Sequence, residues 1–124
     1  MRELRRRLRK EAEKEVEATL RALPVPLRER AREVPVTFMA APSRAMVEDG
    51  VDPDLLGVFA GEAFPDEPAA APMPAHIILF LDNIWDEAAG DEENFLREVR
   101  TTYLHELGHY LGLDEPGLED RGLE

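Results

Sequence analysis

Leu4, Leu8, Ala12, Val16 and Leu20 recur at every fourth position with charged residues between them, so residues 2 to 22 are expected to form an amphipathic helix with one narrow apolar edge. Opposite charges at helical spacing along it suit a solvated helix that packs this edge onto the domain. "LPVP" at 23 to 26 ends the helix, because two prolines cannot continue a helix interior, and a second short helix is expected over about 26 to 33. "VPVTFMA" at 34 to 40 alternates and is rich in branched residues, which predicts a strand with Pro35 near its start or on a sheet edge. "VDPDLLGVFAGEAF" at 51 to 64 reads as a turn and a short strand around Leu56 to Ala60, and "PDEPAAAPMP" at 65 to 74 as a loop. "AHIILFLDN" at 75 to 83 is apolar enough to be the central strand.

The longest convincing helix spans 91 to 111, with Asp91, Glu92 and Glu93 where the positive end of the helix dipole favours acids. Leu96, Val99, Tyr103, Leu107 and Tyr110 fall within an arc of about 80° and form the stripe expected to dock on the sheet. Glu98, Thr102, His105, Glu106 and His109 fall on the other side. The pattern predicts an α+β fold over a single domain, residues 1 to 124. Helices come first, a small twisted mixed sheet of three to four strands follows, and the 91–111 helix lies across it.

The length suits one domain with one modest core. Hydrophobic residues at 44% and charged residues at 34% match a soluble globular chain. The longest strongly apolar run, "IILFL", is far short of the roughly 20 residues of a membrane span. The N-terminal "MRELRRRLRK" is followed by "EAEKEVEA" rather than by an apolar segment, so neither a secretory signal nor a transit peptide is expected and the default location is cytoplasmic. The net charge of −12 is concentrated beyond residue 10, which excludes nucleic acid as an expected partner of the body of the domain. A glutamine-free chain whose basic residues are mostly arginine leans toward a thermophilic source. With no cysteine, any metal must be held by His, Asp or Glu.

That restriction directs attention to "HELGHYLGLDEPG" at 105 to 117. His105 and His109 are one helical turn apart, about 6 Å along the axis and offset by about 40°, so their imidazoles can converge on one ion. Glu106 lies about 60° from His109, awkward for a third ligand in the same tripod but suited to taking a proton from a metal-activated water. An open tetrahedral site needs a third protein ligand from off the helix. Gly112 can end the helix and Pro116 favours an extended residue before it, so the chain can turn back and bring the carboxylate of Glu115 under the metal. Asp114 competes for that position.

"HELGHYLGLDE" resembles the HExxHxxGxx(H/D) signature of zincin metallopeptidases, and in its wording a family of small bacterial zincin-like proteins sometimes called mini-zincins. The resemblance extends upstream through "LPVPLRERAREVPVTF", "DPDLLGVFAGEAF" and "REVRTTYLHELGH". It implies one zinc ion held by His105, His109 and the acid in the last motif position, here Glu115 where the family usually has Asp, with Glu106 as general base. The methionine turn that follows the third ligand in metzincins has no counterpart, since Met1, Met39, Met46 and Met73 all lie upstream. The lower half of the usual cleft is therefore expected to be short, with a second protomer in a dimer, or another protein, as a means of completing it.

The expected function is zinc-dependent hydrolysis of a peptide or unfolded protein lying extended along a sheet edge. The rival is a non-catalytic module that keeps zinc for stability or offers its cleft to a protein partner; Glu106 speaks for the enzyme, because metal retention alone needs no carboxylate there. His76 is expected to be structural, Asp82 and Glu98 are candidates to orient an imidazole, and Tyr103 and Tyr110 belong to the packing stripe.

Overall fold

The computed structural model describes residues 2–60 and 75–111. Helix α1 (Arg2–Arg21) is followed by α2 (Val25–Ala31), strand β1 (Val36–Met39), α3 (Arg44–Glu48), β2 (Gly57–Ala60), β3 (His76–Phe80), α4 (Leu81–Glu87) and α5 (Glu92–Tyr110). The strands form a mixed sheet in the order β1-β3-β2, with β1 parallel and β2 antiparallel to β3. The apolar run of β3 is central because only the middle strand is paired on both sides, and four of its five residues are buried. The α+β class and the central place of "HIILF" are as the pattern predicts.

Alternation along the strands assigns the two faces of the sheet. Ile77 and Leu79 join the main core with Leu8, Ala12, Val16 and Leu20 of α1, Leu27 and Ala31 of α2, Ile84 of α4 and Phe95, Val99, Tyr103 and Leu107 of α5. Ile78 and Phe80 point the other way and cluster with Ala60, Met39, Met46, Leu55 and Val58. The expected edge of α1 is the edge that packs, with Leu4 half-buried at its end. Ion pairs on the rim tie α1 to its neighbours: Arg5 to Asp82 at 2.8 Å, and Arg7 to Glu92. Both pairs are largely exposed, so they orient the helix more than they stabilise it.

Three features depart from the pattern. The strand expected over 75 to 83 ends at Phe80, and Leu81 opens the helix α4. A short apolar run does not distinguish strand from helix by its period, and here Asp82 N–H bonds the Ala40 carbonyl as the chain leaves the sheet. Helix α3 also goes unannounced by any apolar period; its start is set by Ser43, whose hydroxyl accepts from Met46 N–H. In α5, burial extends well beyond the expected stripe, to Phe95, Thr102, Leu104 and Glu106, because the helix is packed on more than one side. The 65–74 loop and residues 112 to 117, which carry Asp114 and Glu115, lie outside the described residues.

Helix α4 hands over to α5 through a Schellman motif, with Gly90 N–H on the Trp85 carbonyl and Ala89 N–H on that of Asp86. Ala89 takes the left-handed conformation at φ 56°, which costs an L-residue about 1–2 kcal/mol. Asp91 then caps α5 by accepting from Asn94 N–H at 2.8 Å. Replacing Ala89→Gly should stabilise the fold by up to about 1 kcal/mol, read as a higher urea midpoint at unchanged slope.

Tyr103 is wholly buried, and its hydroxyl has no hydrogen-bond partner among the described residues. Burial, reinforced by the Glu17 carboxylate and opposed by Arg32, pushes its pKa from 10.0 to about 12. The native state therefore holds the phenolic proton more tightly than the unfolded chain, so this contribution to stability is whole below pH 10 and is lost as the pH rises toward about 12. Removing an orphaned hydroxyl recovers part of its desolvation cost, so Tyr103→Phe should be neutral or more stable at pH 7. Its denaturation curves should also lose part of the alkaline decline that the wild type shows above pH 10.

Candidate metal centre

The polar end of α5 is built where the helix passes under strand β2. Gly57 makes this approach close: a Cβ at that position would sit 2.7 Å from Thr102 Cγ2 and 3.1 Å from both the Ile78 carbonyl oxygen and Leu79 Cδ2. Glycine in a strand interior marks such a close approach. The loop that leads into β2 is fixed from the other side, where Asn83 Nδ2 donates to the carbonyls of Pro53 and Leu55 at 2.8 and 2.9 Å.

Phe80 N–H bonds the Leu56 carbonyl, which sets the phase of the β2–β3 ladder. Hydrogen-bonded and non-bonded pairs alternate in an antiparallel ladder, so Val58 and Ala60 face β3 while Gly57 and Phe59 turn their N–H and C=O groups to the outer side of β2. From that side the Phe59 N–H is directed at the Glu106 carboxylate and favours its charged form. The Phe59 ring reaches one turn further along α5 and packs against Tyr110, with ring centroids 5.7 Å apart.

His105, Glu106 and His109 come together as the spacing predicts. One ligand atom from each lies within 4.8 Å of the other two. The imidazoles of His105 and His109 meet edge to face with centroids 4.6 Å apart, and His109 Nδ1 is 3.5 Å from Glu106 Oε1. Exposure divides the three: the His109 side chain is 51% exposed and that of Glu106 only 11%, with His105 between them. Two imidazoles and a carboxylate converging in a cysteine-free chain fit zinc, which takes nitrogen and oxygen donors at about 2.0–2.2 Å.

The helical angle puts Glu106 on the polar side, yet it is buried beneath β2. Burial raises its pKa above the usual carboxylate range, while His109, His105 and the hydrogen bonds from Phe59 and His109 pull it down; burial outweighs them. A carboxylate held in this way is a better proton acceptor near neutrality than an exposed one. The Phe59 donor has no signature in the motif. Its nearest signal is Gly57, two residues before it in a strand otherwise rich in apolar side chains.

The other candidates are separated from this centre. His76 begins β3 on the same sheet face as Ile78 and Phe80, opposite to the face that packs on α5. Asp82 is paired with Arg5 of α1 rather than with an imidazole, because Leu81–Glu87 turns into a helix and carries it toward the α1 side. Glu98 is half-buried on α5 and makes no hydrogen bond or ion pair to either histidine. Tyr103 is core, and Tyr110 is half-buried against Phe59. Glu115 and Asp114, the rivals for the third ligand, lie outside the described residues.

No curated protein matches the chain. A family model described as zincin-like metallopeptidase matches residues 31–123, a span that takes in the three described strands and helices α3 to α5. With that match over most of the chain, and with the paired histidines beside a buried glutamate, the protein belongs to the zincin-like metallopeptidase family.

Proposed function

We propose that the protein is a zinc-dependent peptidase in which His105 and His109 hold the metal, Glu106 is the general base, and Glu115 is the third ligand. Glu106 carries this reading. A buried carboxylate held beside two imidazoles has a use in proton transfer, whereas a metal kept for stability alone would not need it. Zinc, when bound, supplies Lewis acidity toward the scissile carbonyl and brings the pKa of a coordinated water to about 7.

The chain's own residues supply the rest. Glu106 takes the proton of the attacking water, its burial having raised its affinity for that proton, and then delivers it to the leaving amine. Phe59 N–H favours the charged form of the carboxylate from the side of β2. Gly57 and Phe59 direct carbonyl oxygens to the outer side of β2, where no strand pairs among the described residues, so an extended peptide or unfolded segment can add its N–H groups there. The Phe59–Tyr110 pair walls the site beyond His109. No described helix is long and apolar enough to cross a membrane.

Purified protein should bind zinc at one ion per chain, and His105→Ala or His109→Ala should each abolish stoichiometric binding. Glu106→Ala should keep the zinc and lose peptide cleavage by a factor on the order of 10²–10⁴, the usual worth of a general base. The assay is turnover of a denatured-protein or peptide library together with metal analysis. Equal cleavage by wild type and Glu106→Ala, or cleavage by neither while zinc stays bound, contradicts the peptidase and leaves a zinc-binding interaction module.

A further inference from the structure

The contact between β2 and α5 has a regular geometry. Gly57 lies on Thr102, and two residues on Phe59 lies on Glu106, four residues further along the helix. Two strand residues advance about 6.7 Å and four helical residues about 6 Å, so strand and helix run side by side in the same direction with nearly matched steps. The Gly57 contact is made through the sheet face that carries Phe59 and Leu79 and the Phe59 contact through its unpaired N–H, and both helical partners are buried. The separation at the first contact therefore sets the separation at the second.

We infer that Gly57 is a positioning residue for Glu106: the missing Cβ lets β2 settle on Thr102, and that seating holds the Phe59 N–H on the Glu106 carboxylate. The catalytic consequence rests on Glu106 being the general base; the geometric one does not. A Cβ at 2.7 Å from Thr102 Cγ2 forces a shift, and neither neighbour yields easily. Thr102 is β-branched and buried in a helix, and the Ile78 carbonyl belongs to the central strand. The strand must lift, which draws Phe59 N–H from its acceptor. Thr102→Ser deletes Cγ2, the one contact under 3.0 Å, and leaves the two 3.1 Å contacts to the Ile78 carbonyl oxygen and Leu79 Cδ2, which a shift of a few tenths of an ångström relieves, so an alanine at position 57 should fit.

The test is amide hydrogen exchange on the zinc-free protein, followed by kinetics on the zinc-loaded one. Phe59 N–H faces away from β3, so its protection reports the bond to Glu106, while Val58 and Ala60 report the strand pairing. Glu106→Ala and Gly57→Ala should each lower protection of Phe59 by about tenfold or more and leave Val58 and Ala60 protected, and Gly57→Ala/Thr102→Ser should restore it. In the zinc-loaded protein Gly57→Ala should lower kcat by about 10- to 100-fold with KM and zinc stoichiometry unchanged, again restored in the double variant. Unchanged Phe59 exchange in Gly57→Ala, or a folded double variant that restores neither exchange nor kcat, overturns the inference. If Gly57→Ala does not fold, the double variant decides: folded with Phe59 protected supports it, and unfolded overturns it. The expected exchange pattern in a protein whose wild type cleaves nothing supports the positioning role and refutes the peptidase reading.

Discussion

Helix α5 has to serve as the middle of the hydrophobic core and as the carrier of a polar centre, and the seating of β2 on Thr102 and Glu106 allows both. One side of the helix places Phe95, Val99, Tyr103 and Leu107 against the sheet and α1. The adjoining side meets the outer margin of β2, where backbone groups not used in the ladder can satisfy a buried carboxylate. Without that donor Glu106 would be a buried charge lacking a backbone partner, and its neighbours His105 and His109 would have less to fix their arrangement.

The electrostatics follow from this seating. Burial disfavours the charged form of Glu106, and the histidines and the Phe59 N–H recover part of the loss. His109 is half in solvent, while Glu106 is buried. The division matches the roles proposed for them, since a ligand must adapt to the metal and a base must stay where the proton is transferred.

Much of this is legible in the sequence. The helical stripe of α1, the central "HIILF" strand and the long α5 follow from period, because long segments with one buried side leave a strong pattern. The pairing of His105 with His109 follows from 3.6 residues per turn. Other features are tertiary: the end of β3 at Phe80 is set by how the chain leaves β1, and the burial of Thr102 and Glu106 by a strand far away in sequence. Helical angle alone separates apolar from polar side chains and is silent on whether a polar one will be covered. Gly57 was visible as a glycine in a strand, but its meaning depends on the Thr102 methyl 2.7 Å from its missing Cβ.

Zinc held by the motif histidines beside a carboxylate buried under β2 has a definite signature in X-ray absorption at the zinc edge of the loaded protein. Two imidazoles should be seen by multiple scattering together with oxygen donors at about 2.0–2.2 Å, reduced to one imidazole or lost altogether in His109→Ala. A zinc shell of oxygen donors alone, or one that is unaltered by replacing His109, would contradict it.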